Sequence, residues 1–95
     1  MEGYIYIMAS KNNRVLYTGS TRNLIKRVWE HKNKVSEKSF TARYNVIKLV
    51  YYERYDSIAE AVGRESQIKA GSRKKKESLI KQDNPNFVDL SERLL

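Results

Sequence analysis

The chain has 95 residues, 40% of them apolar, enough for one small domain and little more. It has no cysteine and one histidine, which excludes a disulfide framework, thiolate metal sites and the usual multi-histidine zinc sites. A net charge of +8 and a pI of about 9.8 point to a polyanionic partner, set against the plain alternative of a protein that is merely basic. No apolar run approaches the roughly 20 residues of a membrane span. No secretory leader pattern opens the chain, so a cytoplasmic protein is expected.

Residues 3–9, Gly-Tyr-Ile-Tyr-Ile-Met-Ala, are rich in strand formers. Lys11-Asn12-Asn13-Arg14 reads as a turn, because Asn tolerates left-handed backbone. Residues 14–18 read as the return strand of a hairpin. Pairing around Asn12-Asn13 sets Met8 opposite Tyr17 and Tyr6 opposite Gly19. Strand alternation then puts Tyr4, Tyr6 and Tyr17 on one face, with Ile5, Ile7, Leu16 and Thr18 on the other. Ser20 or Thr21 can cap a helix over residues 22–34, whose apolar stripe is Leu24, Ile25, Val28 and Trp29. Asn23, Arg27 and His31 recur along the border of that stripe. A polar loop should end near Ala42. Residues 45–53 form a third strand, whose continuous apolar run suggests a central or well-covered position. Ser57 can cap a helix over 58–70. Gly71-Ser72 closes it and caps another over 73–82, and Asn84-Pro85-Asn86 ends that one. Residues 91–95 can add a terminal turn. The pattern has no repeat and no interdomain linker.

Four groups of residues carry chemistry. Most of the seven tyrosines should be packing, because a phenol with a pKa near 10 is a poor base unless a cation stabilises its anion. Arg27, Lys26 or a bound metal could do so. Arg27 and His31 lie one helical turn apart, and a guanidinium recognises phosphate through paired hydrogen bonds. Glu65 falls among Ile58, Ala61, Val62 and Ile68. A carboxylate there needs an ion-pair partner (Arg64, Lys69 or Arg27) or serves as one Mg²⁺ ligand. The run Arg73-Lys74-Lys75-Lys76 opens a helix, where cations oppose the macrodipole and repel one another. Contact with the phosphates of a nucleic acid accounts for them better than a solvated face does.

Gly3-Tyr4-Ile5-Tyr6 and Leu16-Tyr17-Thr18-Gly19, followed in order by Arg27, His31, Glu65 and Asn84, resemble the GIY-YIG nuclease superfamily. The likeness is to its small stand-alone UPF0213 members, through Arg27-Val28-Trp29-Glu30-His31 and Arg64-Glu65-Ser66-Gln67-Ile68-Lys69. It covers almost the whole chain. Tyr4 stands where a glycine is expected before Ile5, and Thr18 where the eponymous sequence has Ile. The resemblance implies a single α/β (α+β) domain, residues 1–95, with a three-stranded antiparallel sheet flanked by helices. It implies phosphodiester hydrolysis in DNA with one divalent metal, Mg²⁺ or Mn²⁺, in DNA repair or processing, with a nucleoid-associated location as one option. Carried over by position, Tyr6 and Tyr17 orient or activate the attacking water, with Tyr17 preferred as base. Arg27 stabilises phosphate charge, and His31 assists proton movement or holds a phosphate. Glu65 binds the metal, Asn84 holds substrate backbone or local structure, and Gly19 allows close approach. Larger relatives attach a domain that selects the target. Structure-selective rather than sequence-selective cutting is therefore expected here, with a protein partner as the outside source of specificity. The alternative is a nucleic-acid-binding module on a nuclease scaffold with weak or no catalysis.

Overall fold

The hairpin expected at the start of the chain forms the first two strands, β1 (Gly3–Ser10) and β2 (Leu16–Thr21). A computed structural model describes residues 1–35 and 39–94. Residues 36–38 of the expected polar loop and Leu95 of the expected terminal turn lie outside the described residues. Asn13 takes the left-handed conformation of the turn, φ 62°. Met8 pairs with Tyr17 and Tyr6 with Gly19, as the parity of the loop requires. The return strand begins and ends later than its apolar residues suggest, because pairing with β1 continues as far as Thr21.

The third strand, β3 (Val46–Tyr55), pairs antiparallel on the other side of β1, giving the order β2-β1-β3. The central strand is thus β1. β3 lies at an edge but is covered on both faces, with Leu49 packed to one side and Val50 to the other. The helices are α1 (Leu24–Lys32), α2 (Phe40–Arg43), α3 (Ile58–Ala70) and α4 (Arg73–Asp83), and a 3₁₀ turn spans Ser91–Leu94. The architecture is α+β, as expected. Strand alternation divides the core. Ile5, Ile7 and Ala9 pack under α3 and α4 with Ala61, Ile68 and Ile80. Tyr6 and Met8 pack under α1 with Leu24 and Val28.

Local chemistry sets the helix ends. Ser57 caps α3 by accepting from the Glu60 amide, and Ser72 caps α4 by accepting from Lys75. Gly71 follows α3 in extended backbone, φ −79°, with its N–H on Ile68 O. Gly3 has a packing reason: a Cβ there would lie 2.7 Å from the Cα of Ile58, so its absence lets β1 approach the start of α3.

Two features of α1 differ from expectation. Its cap is Asn23, whose Oδ1 accepts from the Lys26 amide at 3.0 Å, because Ser20 and Thr21 are still in strand. Its buried face is Leu24, Val28 and His31, whereas Ile25 and Trp29 are exposed. The helix is turned so that the polar ridge of Arg27 and His31, not the bulkier apolar pair, meets the sheet beside Tyr6.

Candidate active site

Two neighbouring strands and one helix bring three rings together. Tyr6 on β1 and Tyr17 on β2 share a face, with ring centroids 6.3 Å apart. His31 on α1 lies 5.6 Å from each. Gly19 makes the triangle possible, since a Cβ there would come within 2.6 Å of the Tyr6 hydroxyl and 3.1 Å of the Tyr17 ring. The close approach expected of Gly19 is therefore to the phenols themselves.

Hydrogen bonds fix the rings. The Tyr6 hydroxyl is 2.9 Å from His31 Nε2, and His31 Nδ1 is 2.8 Å from the Thr41 hydroxyl. Arg27 Nε donates to the Tyr6 oxygen across 3.4 Å. Burial pushes the Tyr6 phenol up to about 12, outweighing the Arg27 hydrogen bond that favours its anion. Burial also lowers His31 to about 4, with the charge of Arg27 acting in the same direction. At neutral pH the phenol is protonated and the imidazole neutral. The assignment that satisfies every atom has Tyr6 donating to Nε2 and Nδ1–H donating to Thr41.

Glu65 stands at the β2 edge of this centre. Ser20 on β2 donates its hydroxyl to Glu65 Oε1 at 2.5 Å, and Lys69 pairs with Oε2 at 2.5 Å. Burial alone would raise this carboxyl, but the hydrogen bonds from Lys69 and Ser20 outweigh it and hold the group below its ordinary value. The negative charge of Glu65 is felt by the Tyr6 phenol, where it opposes ionisation. An ionised, oriented carboxylate is a hard oxygen donor suited to a divalent cation. Among the described residues there is no group of three or more His, Cys, Asp or Glu that could hold a metal. One carboxylate with water and phosphate oxygens is a set Mg²⁺ accepts, so the residues present fit such an ion.

The structure thus gathers Tyr6, Tyr17, Gly19, Arg27 and His31, with Glu65 at the edge. It puts the other expected site residues elsewhere. Asn84 is buried, donating to Val50 O and Val88 O and accepting from the Val88 amide, so it fixes the chain after α4. Of the two roles expected for Asn84, the holding of local structure is the one these bonds perform. Arg73 pairs with Glu77 and donates to the carbonyls of Asn13 and Arg14, tying α4 to the hairpin turn. Lys74 and Lys75 are exposed and Lys76 half-buried on α4, which packs on the sheet face opposite the rings. Lys75 and Lys76 line a groove of about 390 Å³ with Arg64 and Gln67.

Two further residues belong to the site's framework and carry no signal in sequence spacing. Thr41 meets His31 only because α2 folds over α1. Ser20 reads as a helix cap in the sequence, yet strand alternation directs its hydroxyl to α3.

The chain is similar to known proteins over most of its length. The GIY-YIG catalytic domain family matches residues 2–78. A UPF0213 protein of Syntrophus aciditrophicus is 39% identical over 82 residues, covering 86% of this chain and 93% of its own. Another, from Staphylococcus saprophyticus, is 42% identical over 77 residues, covering 81% and 92%. The solution NMR structure of a UPF0213 protein from Bacillus halodurans superposes with a TM-score of 0.59 at 27% identity, over 97% of this chain and 96% of that one.

Proposed function

Because the chain belongs to the GIY-YIG catalytic-domain family, whose nucleases act on nucleic acid and generally use a divalent metal, we propose that it is a Mg²⁺-dependent nuclease. On this reading it hydrolyses phosphodiester bonds in DNA and selects by structure, not sequence. DNA repair or processing in the cytoplasm, on the nucleoid, is the matching setting. The observation that carries the proposal is the packing of two phenols, an imidazole and a guanidinium on one face of the sheet, with an oriented carboxylate at its β2 edge.

The roles are those the resemblance implies, and the geometry supports them. The Tyr6 hydroxyl is engaged by His31 and Arg27 and stays protonated, so it positions the attacking water, whose proton passes to the phenolate oxygen of Tyr17. His31 acts as a positioning residue for Tyr6. Arg27, with its side chain 44% exposed, reaches solvent. Its contact with Glu30 is 3.5 Å long, at the limit of an ion pair, and yields readily to a phosphate oxygen. Glu65 would hold the divalent ion, which when bound would supply electrostatic stabilisation of the departing oxygen. Lys74, Lys75 and Lys76 add long-range attraction for the polyanion.

The test is metal-dependent cleavage of labelled single-stranded, nicked, branched and duplex DNA, with RNA as a further arm. Cleavage by the wild type with Mg²⁺, and its loss in Glu65→Ala and Tyr17→Phe, is the expected result. No cleavage by either wild type or Glu65→Ala would sink it. Salt-sensitive binding without cleavage would leave a nucleic-acid-binding module on this scaffold.

A further inference from the structure

Beside the three rings lies an aromatic row that the catalytic reading does not use. α2 is a four-residue helix that buries Thr41 and Ala42 and leaves Phe40 and Tyr44 each 48% exposed. Large rings half in water on so short an element are not core. The Tyr17 and Phe40 rings are 6.1 Å apart with planes tilted by 30°, and Phe40 and Tyr44 are 4.8 Å apart. The row therefore starts at the reaction centre. Its far end is cationic, with the Arg43 guanidinium 5.8 Å from the Tyr44 ring centroid. There Tyr44 opens into a groove of about 670 Å³ lined also by Lys11, Arg14, Arg43 and Asn45.

We propose that Phe40 and Tyr44 are a stacking track for the bases of an unpaired DNA strand, leading from Tyr17 to the groove that takes its phosphates. The inference rests on the nuclease reading of the ring centre and names the substrate that centre takes. Rings provide sequence-tolerant faces for bases, and cations track the backbone, which is the combination single-strand binding requires. A duplex offers no free base faces to such rings. A purely apolar protein partner would not account for three cations around the end of the row. Phe40 lies against Tyr17, so a strand seated on the row is led to the ring centre.

The test measures binding in metal-free buffer, so that cleavage cannot consume the probe. Fluorescence anisotropy is followed with oligothymidylate of about 12 nucleotides, within the usual range of single-strand site sizes, and with a duplex of equal length. Stacking is worth about 1–3 kcal/mol per base, so Phe40→Ala with Tyr44→Ala should weaken single-strand binding on the order of 100-fold. Duplex binding should change by about twofold at most, within the non-specific phosphate contribution. Phe40→Trp should bind as the parent does. Tyr44→Leu keeps the apolar bulk and should still lose about tenfold. Far-UV circular dichroism and melting confirm folding, and Tyr44→Leu alone serves if the double variant does not fold. Unchanged single-strand affinity, equal losses on both probes, or no single-strand binding by the parent would each overturn the track. Mg²⁺-dependent cleavage by the wild type is scored separately. If cleavage persists while the contrast fails, only the track is lost; if the contrast holds without cleavage, only the nuclease reading is lost.

Discussion

Substituting Gly19 by Ala tests whether the two phenols are held as the structure has them. The added Cβ would lie 2.6 Å from the Tyr6 oxygen, 2.7 Å from Tyr6 Cζ and 3.1 Å from Tyr17 Cε2. Ordinary contacts between such atoms are about 3.5–4.0 Å, so a ring or the strand must give by about 1 Å. Tyr6 has nowhere to go. It is 1% exposed, packed with Met8, Leu24 and Val28, and bonded to His31 at 2.9 Å. Overpacking of this kind costs about 1–3 kcal/mol, and loss of the buried hydrogen bond adds about 1–3 kcal/mol. Urea denaturation should therefore show Gly19→Ala destabilised by about 2–6 kcal/mol. Single-turnover cleavage should fall on the order of 100-fold, because a 1 Å misplacement of reacting groups has that effect. Gly63→Ala is the control. A Cβ there meets nothing within 4 Å, and the helix should gain about 1 kcal/mol. A Gly19→Ala protein with wild-type stability and cleavage rate would refute the close approach.

Three further predictions follow from the same interactions. His31 has a folded pKa of about 4 against an ordinary 6.5, so between these values the unfolded chain binds a proton that the native one does not. Its contribution to stability is complete above pH 6.5 and is lost as pH falls toward 4, about 2 kcal/mol after allowing for solvent screening. Denaturation curves of His31→Gln should be flatter than wild type across that window, and parallel curves would contradict the buried neutral imidazole. Ser20→Ala removes the hydroxyl that orients the Glu65 carboxylate, so the Mg²⁺ concentration for half-maximal cleavage should rise about tenfold, as losses of outer-shell partners do. An unchanged metal dependence would remove Ser20 from the site. Glu53 accepts from Arg64 at 3.0 and 3.2 Å and from Tyr55 at 2.6 Å, beside the core under α3. Arg64→Met should cost about 1–2 kcal/mol in thermal or urea unfolding, a partly buried pair lying between the surface and interior cases. Stability equal to wild type would show the pair to be inert.

The sequence determined whatever depended on near neighbours. Loop parity and strand alternation put Tyr6 and Tyr17 on one face, and the structure has Tyr6 opposite Gly19. Ser57 and Gly71 bounded α3 at the residues expected, because caps act within one turn of the helix they close. The resemblance, carried by residues spread from Gly3 to Asn84, indicated the family and its sheet. Tertiary structure decided the rest. Four apolar residues of α1 make two nearly equivalent stripes, and only packing on the sheet selects Leu24, Val28 and His31 over Ile25 and Trp29. That rotation buries His31 and creates its bonds to Tyr6 and Thr41. Likewise, Arg73 reaches carbonyls of the hairpin turn about 60 residues earlier, and Ser20 meets Glu65 across the β2 edge. Such contacts join segments remote in the chain, where no periodicity or cap specifies a partner. They are set by which faces can be buried together, a property of the whole packed core and not of any one segment.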